Sequence, residues 1–377
     1  MTTPSPSPAQ TDASGGLAVQ APAPTPTPPD GEAGNARLRA VGEVAGRWAA
    51  ALVGAVAIFS VILLTRGANP LTTFQYAWEN TLLNGLSVQE ILIKMGPIAL
   101  AALAVVVPAK AGLVNVGGEG QLLVGAVAAA GVALATDQSL PGGLVLVLMM
   151  VAAAVAGALW AGIAAALRVF VKVNEAVSTL LLNYVALDLL LFLIYQPWKD
   201  PNGSGQPATR PLADVAKMPV FTGSKVHVGL AIVVIAAIGV WAALRFTTWG
   251  FRLATVGGNP EAARRAGFPV TMLLLSGMLV GGALAGLGGM IHFAGVEYQL
   301  RPGILSQIGY TAFLASWLAR HKPLPVLVAS LVLSALIVAG DSFQIDSGLP
   351  AATVNILIGL LLIAVLGWTG TRTKSGA

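Results

Sequence analysis

From residue 90 onward the chain returns again and again to uncharged stretches of about twenty residues, which a water-facing fold has no means of covering. A helix crossing the roughly 30 Å hydrocarbon core of a bilayer needs about 20 apolar residues. Ten stretches reach or approach that length: 46–65, 90–109, 112–135, 141–167, 175–196, 227–245, 270–292, 305–319, 324–340 and 350–368. Composition agrees: 56% of the 377 residues are hydrophobic and 10% are charged, whereas soluble domains carry about a quarter charged residues. The expected fold is an all-α polytopic membrane protein of about ten transmembrane helices. The half-apolar segment 70–88, with Phe74, Tyr76 and Trp78, is expected to lie along the interface.

Lysine and arginine set the orientation. With the N-terminus cytoplasmic, fourteen of the 21 fall inside, six fall outside, and Lys94 sits within a span. Both termini are therefore expected in the cytoplasm. Residues 1–36 hold eight prolines, few large apolar residues and no basic residue, and are expected to be a disordered cytoplasmic leader rather than a secretory signal. The transmembrane domain then runs over 37–371, with an outer loop at 197–226, a large inner loop at 246–269 and a short cytoplasmic tail at 372–377. The outer loop is long enough to meet a partner.

The inner loop contains NPEAARRAG, which reads as a very short, sharply bounded helix. Asn259 suits the N-cap, Pro260 the first turn, Glu261 the positive end of the helix dipole, and Gly267 the left-handed stop. About two turns are marginal alone, so the helix must be held by the membrane domain or by a partner. An ordinary amphipathic connector would need the same capping.

Polar groups inside the membrane mark the other candidates. In GLVNVGGEGQLLV, Asn115, Glu119 and Gln121 sit among three glycines at the start of the third span. Such a segment is not comfortable as helix in lipid, so the third helix is expected to be discontinuous, with protein or water around the break. The alternative is a glycine-rich turn following Lys110. In the fifth span Asn183, Tyr184 and Asp188 lie deep, and a mid-span carboxylate marks either a pathway or a buried structural partner. These six residues are the substrate-path candidates. Gly277, Gly281, Gly282 and Gly286 in the seventh span are spaced for close helix packing.

Three blocks, NVGGEGQ, VNEAVSTLLLNY and NPEAARRAG, resemble those of nucleoside and simple-sugar ABC importer permeases, in the branch shared with ribose and branched-chain amino-acid permeases. The likeness runs from about residue 90 to 366. It departs at Gly309-Tyr310, where an acidic residue often follows, and at Trp317, in a stretch of typically small residues. The resemblance implies that residues 259–267 are a coupling helix (Asn259, Pro260, Glu261, Ala262, Ala263, Arg264 and Gly267) docking on a separate ATPase subunit. It also implies a second permease subunit in a heterodimer, of which this chain is the larger, and an extracytoplasmic substrate-binding lipoprotein. ATP and magnesium would be bound by the ATPase, no cofactor by this chain, and the assembly would sit in the cytoplasmic membrane of a prokaryote. No nucleic-acid partner is implied, since the basic residues are spread along the chain.

Two other classes stand beside this reading. A secondary transporter or channel would use Glu119 and Asp188 as ion ligands. A permease of the same branch could carry ribose or branched-chain amino acids. A membrane-embedded enzyme would need a convergent catalytic set, and none is legible. With no cysteine there is no thiolate chemistry. His227, His292 and His321 lie far apart in sequence at span ends on differing sides, which argues against a metal site or an acid/base pair.

Overall fold

The computed structural model describes residues 53–54, 56–65, 67–136, 139–203, 205–347, 356 and 359–360. The leader 1–36, the tail 372–377 and almost all of the expected tenth span 350–368 lie outside the described residues, as does the first part of the span at 46–65. Among the described residues the chain is helical, with no β-strand.

Twelve α-helices of four or more residues are bounded among the described residues: α1 Val56–Thr65, α2 Pro70–Leu82, α3 Gly85–Lys110, α4 Gly118–Thr136, α5 Gly142–Ala166, α6 Glu175–Tyr195, α7 Gly229–Phe246, α8 Thr248–Gly258, α9 Pro260–Arg265, α10 Val270–His292, α11 Ile308–Leu318 and α12 Pro323–Ser347. Seven are long and apolar enough to cross a membrane (α3, α4, α5, α6, α7, α10 and α12). α1 and α2 together meet the same test but are bent by 112° at the break between them. α5 and α10 each run on into a π-helical turn, Leu167–Val171 and Phe293–Glu297, that ends at a left-handed residue, Lys172 or Tyr298.

α10 occupies the centre and packs against α3, α4 and α5. Its glycines make this possible. Gly282 and Gly286 meet the backbone of Gly157 and Ala153 on α5, Gly281 meets Ala104 on α3, and Gly289 meets Leu122 on α4, so added methyl groups there would strike main chain. Small residues matter more in a bilayer than in water, because association rests on close van der Waals contact. α3 is the most enclosed span and also receives α7, α11 and α12.

Three segments differ from expectation. The stretch 305–319 is helical only over eleven residues, Ile308–Leu318, about 16 Å at 1.5 Å per residue, or half a bilayer core. Left-handed Leu305 and Gln307 delay its start, and left-handed Arg320 and His321 end it. The inner loop 246–269 is mostly helix, with α8 capped by the Thr247 hydroxyl accepting from the Gly250 amide at 3.1 Å. The third span is non-helical until Gly118, and its first residues fold back along α3, where Asn115 Nδ2 donates to the Ala104 carbonyl at 3.0 Å.

The long loop 197–226 does not hang free. Thr209 and Leu300 exchange two hydrogen bonds of 3.0 Å, Leu212 N donates to Tyr298 O at 2.6 Å, and Met218 N donates to Ala294 O at 2.8 Å. The loop is thereby laced to the coil that joins α10 to α11.

Candidate functional site

The six residues of α9 are held as their chemistry dictates. The Asn259 side chain accepts from the amides of Glu261 and Ala262, both at 3.0 Å, and Pro260 fills the first turn. Gly267, at φ +81°, closes the helix, and Phe268 N reaches back to Ala263 O at 3.0 Å. Ala263 is fully buried, whereas Glu261, Ala262, Arg264 and Arg265 face out. Glu261 bonds Arg264 at 2.7 Å and Arg265 at 3.3 Å, but exposed pairs of this kind contribute little to stability. α9 therefore leans on the domain through one alanine and displays the rest.

α8 connects this display to the core. Trp249 Nε1 donates to Ser276 Oγ on α10 at 3.0 Å, and buried Leu253 and Ala111 both lie against Gly277. Gly257 rests on the main chain at the end of α3: a methyl group there would collide with the Lys110 carbonyl, and Gly112, at φ +78°, faces it. Nearby, the His321 ring meets Ser316 Oγ at 2.9 Å and the edge of Trp317. Burial, and then the Lys110 charge, hold that imidazole below its ordinary range.

The coil between Gly112 and Gly117 leads from this contact into the membrane domain, and every polar group singled out along it is engaged. Asn115 is fully buried and exchanges two amide hydrogen bonds with Gln121, at 2.9 and 3.0 Å, while its Oδ1 also accepts from Gly117 N at 3.0 Å. From α6, Glu175 accepts from Val114 N at 3.3 Å, Thr179 Oγ1 accepts from Val116 N at 3.2 Å, and Asn183 donates to Val116 O at 3.1 Å. Asn183 Oδ1 also accepts from Gly120 N at 2.8 Å, so it caps the start of α4 from a neighbouring helix. Arg168 holds the other oxygen of Glu175 at 3.1 Å.

Glu119 repeats the device on α11. Its two carboxylate oxygens accept from Gln307 N and Gly309 N, each at 2.7 Å. Helix starts leave amide donors without partners, and inside a bilayer no water replaces them. Here α6 supplies the cap of α4, and α4 supplies the cap of α11. The two starts cross where Gly118 meets Gly309; a side chain on Gly309 would strike the backbone of Glu119. Tyr310 lies at this crossing, with its hydroxyl 3.5 Å from Asn183 Nδ2.

Four of the six path candidates, Asn115, Glu119, Gln121 and Asn183, thus converge on one crossing. Tyr184 and Asp188 do not: both lie on the exposed face of α6, and Asp188 has no ion-pair partner among the described residues. Glu175, Thr179 and Tyr310 also belong to the crossing; the first two lie in the VNEAVSTLLLNY block and the third in the Gly309-Tyr310 pair, so the sequence marked their segments without singling them out as path residues. Of the three histidines, His321 stays apart beside Ser316, whereas His227 and His292 come closer than their separation in sequence suggests. The His227 ring lies against Gly295, within one turn of His292, and His292 approaches Glu297 at 3.7 Å.

Most of the chain is similar to known permeases. A family described as the branched-chain amino acid transport system permease component matches residues 87–366. The glucose ABC transporter permease protein TsgB13 of Haloferax volcanii is 36% identical over 84% of this chain and 85% of its own length. The guanosine ABC transporter permease protein NupP of Bacillus subtilis is 30% identical over 86% and 94%. The nucleoside ABC transporter permease protein NupB of Lactococcus lactis is 28% identical over 84% and 88%. The match over residues 87–366 places the chain in that family: it is a multi-pass membrane permease of the branched-chain amino acid transport system permease type.

Proposed function

We propose that this permease is the membrane-spanning subunit of an ATP-driven importer for simple sugars or nucleosides, and that α9 is the element on which a separate ATPase subunit acts. The observation that carries the reading is α9 itself: a capped, six-residue helix that buries only Ala263 and presents Glu261, Ala262 and Arg264. Substrate class follows from relatives that carry glucose, guanosine and nucleosides by name. ATP and magnesium belong to the ATPase, and this chain binds no cofactor.

In this reading the chain crosses the cytoplasmic membrane of a prokaryote ten times, with both termini, α8 and α9 inside. A second permease subunit completes the path, and an extracytoplasmic lipoprotein delivers the substrate. The leader 1–36 and tail 372–377 flank the transmembrane domain on the cytoplasmic side. ATPase closure displaces α9 and α8. Because Gly257 sits directly on Lys110 and Gly112, that displacement reaches the coil 112–117 and the crossing of α4 with α11. Small shifts at packed contacts become discrete rearrangements because such contacts do not deform smoothly.

A secondary transporter or channel using Glu119 and Asp188 as ion ligands is less well supported, because both oxygens of Glu119 are engaged by the α11 amides and Asp188 lies on the exposed face of α6, away from that crossing. The test is reconstitution in proteoliposomes with the second permease, the ATPase and the binding protein. Uptake of labelled glucose or adenosine that requires ATP and all partners is expected. Uptake by this chain alone without ATP would overturn the proposal.

A further inference from the structure

Trp317, a large ring where the family's pattern has small residues, stands exposed at the end of α11 and takes no part in the crossing or in α9. An exposed tryptophan at the end of an apolar helix suits the headgroup level of a bilayer, where its ring stays apolar and its N–H reaches water. Three residues on, Arg320, His321 and Lys322 make the turn into α12. Arg320 and His321 are both left-handed, and the main chain holds them so: Arg320 N donates to Trp317 O at 2.9 Å and His321 N to Ser316 O at 2.8 Å. The turn is therefore a fixed platform for two cations.

Arg320 and Lys322 are exposed, and neither has an ion-pair partner among the described residues. Arginines elsewhere are answered: Arg168 by Glu175, Arg264 and Arg265 by Glu261, and Arg301 by Glu297. Here no acid is at hand, because between Glu297 and Asp341 the sequence holds neither aspartate nor glutamate. Lys110 adds a third positive charge that reaches the His321 ring. Since Gly257 rests on the Lys110 carbonyl, the turn lies on the side of the domain that carries α8.

Beside this turn runs an apolar groove of about 550 Å³, lined by Leu318 and Ala319 at the end of α11 and by Leu324, Val328 and Val332 on α12. The three α12 residues stand four apart on one stripe, and all are exposed. From Leu324 to Val332 the stripe runs about 12 Å at 1.5 Å per residue, most of one leaflet of a roughly 30 Å core. No polar side chain lines it, so a water-soluble ligand gains nothing there and a hydrocarbon chain does. Charge then selects the head. Basic pockets between spans hold anionic headgroups, and a guanidinium matches two phosphate oxygens. A zwitterionic lipid would bring its own cation to a turn that already has an excess of positive charge.

We infer that this groove is a binding site for one anionic phospholipid, with an acyl chain along Leu324, Val328 and Val332 and the phosphate held by Arg320 and Lys322. The site is independent of the solute the permease carries.

The chain has no cysteine, so Leu324→Cys reports on the groove mouth without background. The control is Leu144→Cys, exposed in the first turn of α5, in a stretch with no basic residue between Lys110 and Arg168. Full-length protein in maltoside micelles is labelled with N-ethylmaleimide, with saturating dioleoylphosphatidylglycerol or dioleoylphosphatidylcholine. Phosphatidylglycerol is expected to slow labelling of Leu324→Cys about fivefold more than phosphatidylcholine does, with no such difference at Leu144→Cys. Adding Arg320→Gln and Lys322→Gln is expected to abolish the difference. Equal protection by the two lipids, or a preference that survives loss of both cations, would overturn the site. Labelling already blocked without lipid would mean that residues 350–368 or another part of the chain fill the groove. Protection that comes only on adding the ATPase subunit would give the turn to that partner. Either result overturns the lipid assignment. Should Leu324→Cys fail to fold, melting of the unsubstituted protein carries the test: phosphatidylglycerol should raise its melting temperature by several degrees more than phosphatidylcholine, and Arg320→Gln/Lys322→Gln should lose that margin. No margin in the unsubstituted protein would overturn the site.

Discussion

The Glu119 carboxylate accepts from two amides of another helix, and a glutamine side chain has only one acceptor oxygen to offer them. Glu119→Gln therefore leaves a donor facing a donor inside the bundle. It is expected to lower stability by about 1.5–3 kcal/mol, the usual loss for a hydrogen bond to a charged group, measured as melting in detergent. An unchanged melting temperature would mean that the carboxylate does not hold α11. His321 gives a prediction in pH. Its folded pKa lies below the ordinary 6.5, so the unfolded chain takes up the proton first as the medium acidifies. Its contribution is complete above that value and is lost as pH falls through it. His321→Asn tolerates the left-handed backbone and carries no titrating ring, so the drop in melting temperature from pH 7.5 to 5.5 should shrink. An identical drop would remove His321 from the account. At this scale the sequence points to Asn115, Glu119, Gln121 and Asn183, because polar groups at membrane depth stand out in an apolar run. Their partners were not legible: Asn183 meets Gly120 across 63 positions, and Glu119 meets Gln307 across 188.

Among the elements, α9 was readable because its determinants are local: cap, first-turn proline and glycine stop lie within nine residues. α8 was not. Its sequence, TWGFRLATVGG, holds three glycines and two threonines and reads as a loop; it is helical because Leu253 and Val256 bury against the bundle and Gly250 and Gly257 let main chains meet. α11 misled in the other direction, since hydropathy says nothing of left-handed Leu305 and Gln307. These helices carry two predictions about coupling. Gly257→Val forces α8 off the end of α3. The assembled complex is then expected to hydrolyse ATP while losing most uptake, in an assay that follows both at once. A proportional fall in both activities would make the contact merely structural. Glu261→Lys reverses the displayed charge at the start of α9 and is expected to abolish uptake, with expression and binding-protein affinity unchanged. Retained uptake would count against α9 as the coupling element.

On the scale of the whole molecule, the long spans were legible because a bilayer permits so few solutions: α5, α6, α7 and α10 begin and end within two residues of their expected limits. What hydropathy could not reveal is how the spans are tied, since the half-helix crossing and the laced loop depend on contacts distant in sequence. Asp188 poses the remaining question at this scale. A carboxylate on the exposed face of an apolar span cannot rest in lipid without heavy cost, so another chain or water must cover that face in the assembled transporter. Asp188→Leu removes the charge and, among the described residues, no ion pair. The isolated protein should therefore melt within about 0.5 kcal/mol of its parent, as expected where no named interaction is lost, or slightly higher. Co-purification with the second permease, or uptake by the complex, should fall severalfold. If the isolated protein instead loses folded material in step with transport, Asp188 supports the fold of α6 itself and the covered face must be sought elsewhere.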